Sequence, residues 1–187
     1  MKYWTMILLA GFTLVPLTVV AKAADMGGAA PVTEQDISGI YLRGDLGGSY
    51  LNWSGGGNSW AFIGDAGIGY QFDQNFRADL TYNRTSDFTP SAGNTLSTST
   101  IMANGYYDWK NESSFTPYLG AGLGYGWQWG GGAIPSGQGI AVGLKAGVAY
   151  EMTNNLALDI GYRFNDILAP SQSTPEHQVA AGLRVKF

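Results

Sequence analysis

Apolar and polar residues alternate along most of the chain beyond residue 39. The last nine residues show the pattern most clearly, since every second residue from Val179 to Phe187 is apolar and Arg184 and Lys186 lie between them. A period of two is typical of β-strands, whose successive side chains point to opposite faces. Seven earlier segments repeat the pattern. It predicts eight strands, at residues 40–50, 60–72, 76–82, 101–109, 115–127, 140–152, 156–164 and 179–187.

The charged residues of these segments all lie on the rows that alternate with the apolar ones. The apolar rows contain no charged residue, and six basic and six acidic side chains occupy the complementary rows. We therefore expect each strand to have one apolar face and one face that carries the charges. The twelve charged residues are Arg43, Asp45, Asp65, Arg77, Asp79, Asp108, Lys145, Glu151, Asp159, Arg163, Arg184 and Lys186.

Aromatic residues are concentrated at the two ends of the apolar rows. At one end they are Tyr50, Trp60, Tyr82, Tyr125, Trp127, Tyr162 and Phe164, and at the other Tyr70, Phe72, Phe76, Tyr107, Trp109, Phe115, Tyr150 and Phe187. A soluble β-sandwich also alternates. Two aromatic girdles around an aliphatic band, however, are typical of the membrane–water boundaries of a transmembrane barrel. The pattern favours an all-β fold, an eight-stranded antiparallel, up-and-down transmembrane β-barrel.

The links between the predicted strands are alternately short and long. Residues 73–75, 110–114 and 153–155 are short polar turns, whereas residues 51–59, 86–97, 128–138 and 166–176 are longer and rich in small and polar residues. Exported barrels have short periplasmic turns and longer outer loops. We expect four such outer loops, and a closed sheet, because lipid offers no hydrogen-bonding partner to an open edge.

The first residues indicate export. Residues 1–23 combine a cationic start, an apolar run interrupted by Pro16 and a small-residue cleavage site. The run is shorter than the roughly 20 residues that span a bilayer. We predict a cleaved signal peptide at 1–23, a flexible periplasmic lead-in at 24–38 and the barrel at 39–187. Loss of Lys2 and Lys22 lowers the formal charge from −4 to −6, which argues against a nucleic-acid partner.

Four stretches of the chain together resemble a known family. They are the leader, the lead-in ADMGGAAPVTEQDIS, the first strand GIYLRGDLGGSY and the terminal GLRVKF. They resemble the small outer-membrane β-barrel proteins of Gram-negative bacteria, of the opacity-protein-like and outer-membrane-protein-A-like types common in alphaproteobacteria. The resemblance implies a multi-pass barrel in the cell outer membrane, in contact with its lipid and lipopolysaccharide.

The same resemblance implies a role for the terminal strand. In this family the barrel-assembly machinery reads a terminal aromatic residue and the alternate apolar residues before it. The residues that match this assembly signal are Val179, Ala181, Leu183, Val185 and Phe187.

An eight-stranded barrel has an interior just wide enough for its own side chains. We therefore expect the twelve charged residues to form a structural network of ion pairs that plugs the lumen. Removal of one member of such a pair leaves a buried charge without its partner, at a cost of about 3–5 kcal/mol. The resulting hypothesis is a structural and surface-interaction protein that supports the envelope and adheres through its outer loops. A narrow or gated small-solute channel is the alternative.

The sequence contains few candidates for catalysis. The glycines of residues 120–126 resemble a nucleotide-binding loop, but they fall at period two on a strand, where they give space to long neighbours such as Lys145 or Tyr118. His177 lies at the edge of a predicted loop. A lipid-modifying barrel hydrolase carries a nearby serine on the same strand face, and Val179 stands there instead. We therefore expect no enzyme activity, no metal site and no cofactor.

Two tryptophans lie in the long links. Trp53 and Trp129 fall beyond the predicted strand ends, beside runs of glycine. They either extend the outer aromatic girdle or contact another surface. We take them as candidate loop contacts for a ligand on a host or other cell surface.

Overall fold

The alternating pattern produces antiparallel β-strands throughout the described part of the chain. The computed structural model describes residues 38–53, 57–169 and 173–187, so the predicted signal peptide and nearly all of the lead-in lie outside it. None of the described segments forms a helix long and apolar enough to cross a membrane. The strands are β1 Gly39–Trp53, β2 Gly57–Gln71, β3 Phe76–Thr85, β4 Phe88–Ser91, β5 Asn94–Asp108, β6 Phe115–Gly131, β7 Gly137–Glu151, β8 Leu156–Leu168 and β9 Ser173–Lys186.

The strands close into a barrel with eight positions around its circumference. Both β3 and the short β4 pair with β5, so these two segments form one strand that is interrupted at Ser86 and Asp87. The barrel closes between β1 and β9, from Tyr41 opposite Lys186 to Leu51 opposite Glu176. The predicted eight-stranded antiparallel barrel is therefore confirmed. We assign the end that bears the short turns to the periplasm.

The apolar rows face outward. Exposed side chains include Leu46 and Leu123 in the aliphatic band, and Phe62 near the outer girdle is 82% exposed. Within each predicted girdle, aromatic rings on neighbouring strands pack against one another. Tyr50 and Trp60 form such a pair at the outer end, and Phe76 and Tyr107 form one at the periplasmic end. This surface is suited to a lipid environment, in which outward apolar and inward polar residues alternate.

The strands extend further outward than the alternation of apolar residues predicts. β1 continues to Trp53, β6 to Gly131 and β8 to Leu168, and the third predicted strand continues as β4 within a predicted loop. Strand pairing depends on backbone hydrogen bonds, so it continues after the side chains cease to alternate. The β4–β5 hairpin turns at Gly93, whose φ of 79° suits glycine.

Interior glycines make room for tyrosine rings. A Cβ atom on Gly120 would lie 2.5 Å from the ring of Tyr106, and one on Gly161 would lie 2.5 Å from the hydroxyl of Tyr118. The expectation that the interior glycines provide space agrees with this geometry. Gly120 lies opposite Tyr106 of β5 and Lys145 of β7, and the Tyr106 ring is the side chain nearest to its Cβ position. Tyr118 fits beside Gly147 of β7 and Gly161 of β8.

Candidate functional site

A central cluster of ion pairs crosses the lumen. Asp45 on β1 accepts from Arg43 on the same strand at 2.7 Å and from Arg163 on β8 at 2.6 Å. Arg43 also lies 3.2 Å from Asp79 on β3, and Arg163 lies 3.3 Å from Asp65 on β2. These side chains are buried. Four strands are therefore linked through charged groups inside the barrel.

Neutral polar groups complete the hydrogen bonding of Asp79. The carboxylate accepts from the amide of Asn104 at 2.7 Å and from the hydroxyls of Tyr41 and Tyr106 at 3.2 and 3.3 Å. Lys145 donates to the Tyr106 hydroxyl at 3.3 Å. Asp79 thus accepts from one cation and three neutral groups, which offset the loss of hydration of a buried carboxylate.

A second cluster of ion pairs lies on the periplasmic side of the first. Arg77 Nε donates to both carboxylate oxygens of Asp108 at 3.0 Å, and Arg184 lies 3.3 Å from Asp159. The Arg77 guanidinium stacks 3.9 Å from the ring centre of Tyr106, which also contacts the central cluster. Arg77 is only 1% exposed. The two clusters together occupy the middle of the lumen and extend to the periplasmic side of it.

The structure buries ten of the twelve charged residues that the sequence pattern selects: Arg43, Asp45, Asp65, Arg77, Asp79, Asp108, Lys145, Asp159, Arg163 and Arg184. Lys186 is half-buried at the periplasmic mouth. Glu151 differs from the prediction. It is exposed and forms an ion pair with Lys110 in the turn after β5, because the last residue of β7 reaches beyond the lumen.

The outer part of the lumen contains a buried carboxylate that the sequence pattern missed. Glu176 accepts hydrogen bonds from Thr98 at 2.6 Å, Ser49 at 2.9 Å and Gln178 at 2.9 Å, and it is 3% exposed. Glu176 falls within the predicted loop 166–176, in which apolar and polar residues do not alternate regularly. The inward row of β9, followed back from Arg184 in steps of two, would have reached Glu176.

An apolar cluster lies at the outer mouth. Leu51 and Phe88 are fully buried there, and Leu96 is 2% exposed. Ala61 and Ile134 complete this outer apolar cap. Four of its members come from predicted loops: Leu51, Phe88, Leu96 and Ile134. Isolated apolar residues within polar, glycine-rich links are the sequence signal that could have indicated it.

Among residues 38–53, 57–169 and 173–187, nothing closes the opposite end of the lumen. A polar cavity of about 450 Å³ lies at the periplasmic end, where its lining includes Tyr41, Gln71, Asp108, Arg184 and Lys186. We call this cavity the periplasmic vestibule. Its walls carry both signs of charge. The lumen is therefore asymmetric, with the apolar cap at one end and a polar opening at the other.

Two of the remaining candidate residues, Trp129 and His177, have side chains on the outer surface of the barrel. The sequence places Trp53 and Trp129 beyond the ends of the predicted strands. In the structure the strands are longer, so Trp129 is within β6 and Trp53 is the last residue of β1. Trp129 is 45% exposed and lies against Arg84; the side chain of Trp53 is outside the described set. His177 is within β9 instead of at a loop edge, and its Nδ1 is 2.6 Å from the Tyr162 hydroxyl. Among the described residues, no cluster of three or more histidine, cysteine, aspartate or glutamate side chains could hold a metal ion.

Comparison with known proteins identifies relatives of the same architecture. The chain is 27% identical to the outer membrane protein PagN of Salmonella typhimurium over 175 residues, covering 67% of this chain and 73% of that one. It is 30% identical over 105 residues to a putative adhesin of Rickettsia bellii, covering 45% and 46%. Neisserial surface protein A superposes with a TM-score of 0.71 at 28% identity, covering 80% of this chain and 99% of that one.

A family assignment follows from a match over most of the sequence. Residues 13–187 match the family described as outer membrane protein beta-barrel domain. The closed antiparallel barrel and its apolar outer surface agree with that match. The chain therefore belongs to the outer membrane protein beta-barrel family and is a protein of the cell outer membrane.

Proposed function

We propose that this protein is a structural and surface-interaction protein of the outer membrane whose lumen is closed. The observation that carries the proposal is the content of the lumen, where two clusters of ion pairs are followed outward by Glu176 and by the outer apolar cap. A hydrated ion would have to displace paired charges and then pass an apolar constriction. Both steps are unfavourable.

The outer ends of the strands support the surface-interaction part of the proposal. They extend beyond the aromatic girdle, and β4 and β5 form a hairpin there. A rigid barrel that holds such segments at the cell surface can present them to a ligand. A relative in Rickettsia bellii has the name putative adhesin. We include adhesion through the outer segments, with Trp129 as a candidate contact.

A narrow or gated channel is the second candidate. The periplasmic vestibule favours it, because a polar opening lined by both signs of charge would admit small solutes from one side. For conduction, the outer apolar cap and the central cluster would have to rearrange.

We propose no enzymatic role for His177. Its ring is hydrogen bonded to Tyr162 on the outer surface, and Val179 is two residues along on the same face of β9. A hydrolase needs a nucleophile within hydrogen-bonding distance of its base. Altered lipid A in cells that overproduce the protein would contradict this assignment.

Conductance separates the first two candidates. Protein refolded in detergent and added to a planar bilayer should give no stable current steps, while a porin in the same bilayer confirms that insertion can be detected. Reproducible steps that scale with salt concentration would establish the channel instead. A deletion strain then tests the surface role, since loss of attachment with an intact envelope indicates adhesion and leakage indicates envelope support.

A further inference from the structure

One arginine of the described strands faces outward. Arg84 continues the lipid-facing row of β3 beyond Tyr82 and is exposed, whereas the other arginines and lysines in the described strands lie on inward-facing rows. A cation on the lipid face costs about 2–4 kcal/mol at the membrane midplane and about 0–1 near the interfaces. Arg84 lies past the outer aromatic girdle, so it is at the depth of the lipid headgroups.

The Arg84 side chain is held against the barrel wall by two neighbours. Its Nη1 donates to Ser99 Oγ at 3.1 Å, and its guanidinium lies 5.0 Å from the ring centre of Trp129. The Tyr82 hydroxyl is 3.2 Å from the same Ser99 oxygen. Ser99 is 1% exposed and therefore lies beneath the larger side chains. The arrangement fixes the guanidinium instead of leaving it free to rotate.

The guanidinium retains unused hydrogen-bonding capacity. An arginine has five N–H donors, and Ser99 is the acceptor found for Arg84 among the described residues. No acidic side chain in that part of the chain forms an ion pair with it. A planar guanidinium with free N–H groups suits a phosphate, which it can bind through two parallel hydrogen bonds.

We propose that Arg84, Ser99, Tyr82 and Trp129 form a binding site for a phosphate group of lipopolysaccharide on the lipid-facing wall of the barrel. The outer end of that wall meets the outer leaflet, where the headgroups of lipopolysaccharide carry phosphates at the depth of Arg84. Arg84 supplies the charge, the exposed Tyr82 side chain supplies a hydroxyl, and Ser99 and Trp129 hold the guanidinium in place. The site depends on the outer-membrane location of the protein and is independent of whether the lumen conducts.

Binding to purified lipid A tests the site directly. The refolded mature chain is titrated in neutral detergent with bis-phosphorylated lipid A and with its dephosphorylated form, by calorimetry. For Arg84→Gln we expect about a tenfold increase in the Kd of the phosphorylated form, as for loss of a charged hydrogen bond. The Kd of the dephosphorylated form should not change. Arg84→Lys should give an intermediate value, because lysine keeps the charge without the planar fork.

The matched control is Lys110→Gln, which removes the same charge from the periplasmic end and should leave both Kd values unchanged. Equal affinity of wild type and Arg84→Gln for phosphorylated lipid A would overturn the proposal, as would an equal loss for the dephosphorylated form. Vesicles of phosphatidylglycerol and inorganic phosphate serve as alternative sources of phosphate. If either binds as tightly as lipid A with the same dependence on Arg84, the assignment to lipopolysaccharide is wrong.

Discussion

Asp79 shows how a single residue is stabilised inside the barrel. Its carboxylate accepts from Arg43, Tyr41, Asn104 and Tyr106, which come from β1 and β5. A buried charge is tolerated when its partners replace the hydration that it loses. The partners of Asp79 in turn contact Lys145 and Arg77 through Tyr106. A change at Asp79 should therefore affect several groups.

We predict that Asp79→Asn lowers the free energy of unfolding by about 3–5 kcal/mol, the range for breaking a buried ion pair. The substitution keeps the shape of the side chain but removes the charge that faces Arg43. Reversible urea unfolding of the refolded protein in detergent measures the effect. Its control is Leu80→Ala at the next position, which is 52% exposed to lipid and should change stability less. Equal losses for the two variants would mean that the interior ion pairs contribute no particular stability.

At the scale of the strand, packing inside the barrel depends on glycine in one strand opposite a ring from another. Gly147 on β7 and Gly161 on β8 are direct cross-strand partners, and both approach the Tyr118 hydroxyl of β6. A Cβ atom at either position would lie within 2.6 Å of that oxygen. Three neighbouring strands therefore share one tyrosine, and the glycines keep the wall close to it.

We predict that Gly161→Ala destabilises the barrel by about 1–3 kcal/mol, the usual cost of overpacking. The added methyl group would meet the Tyr118 hydroxyl and the Ala146 carbonyl. Part of the loss should disappear in a Tyr118→Phe background, where the hydroxyl is absent. Unfolding midpoints of the two single variants and the double variant measure this coupling.

Gly105→Ala provides the control for that experiment. A Cβ atom at Gly105 would meet nothing within 4 Å. The substitution should therefore leave the midpoint nearly unchanged. If Gly105→Ala is as destabilising as Gly161→Ala, loss of glycine itself would explain both results, and the packing of Tyr118 would not be the cause.

At the scale of the whole molecule, the barrel is complete only when the first and last strands pair. β1 and β9 are antiparallel partners over most of their length, and the backbone N–H of Phe187 donates to the Ile40 carbonyl at 2.9 Å. The Phe187 ring itself is 72% exposed. Its side chain therefore contributes little to packing within the barrel, although it stands at the point of closure.

We predict that Phe187→Ala reduces the amount of protein inserted in the outer membrane far more than it lowers stability in vitro. The substitution keeps the backbone hydrogen bond, and changes at exposed positions usually alter stability by about 0.5 kcal/mol or less. The resemblance to the family implies that the assembly machinery reads this ring, and the prediction rests on that expectation. Two measurements are needed, the outer-membrane yield in cells and the unfolding midpoint of refolded protein. Phe62→Ala, at another exposed aromatic position, should leave the yield normal.

The opposite result would assign a different role to the ring. A normal yield together with a large fall in the midpoint would make Phe187 a packing residue. A reduced yield for Phe62→Ala as well would indicate a general need for lipid-facing aromatic residues.

The sequence by itself determined the architecture. The period of two residues specified the strands, and the apolar rows with their aromatic ends specified which faces meet lipid. Most of the interior charges, including Arg77 and Asp159, followed from the same alternation. The reason is physical. Each strand that crosses a membrane must present apolar residues to lipid and polar residues to the interior, so each segment shows the alternation by itself, whichever strands it pairs with.

Only the tertiary structure decided which residues meet. Arg163 pairs with Asp45 across 118 positions of the chain, and Phe88, Leu96 and Ile134 join Leu51 in the outer apolar cap. Arg84 and Trp129 come together on the outer wall in the same way. These contacts depend on the register between strands and on how far each strand extends beyond the membrane. The alternation fixes which face each side chain occupies, but turn geometry is also needed to set the register. The alternation does not fix the strand ends either, because backbone pairing continues through polar and glycine-rich segments.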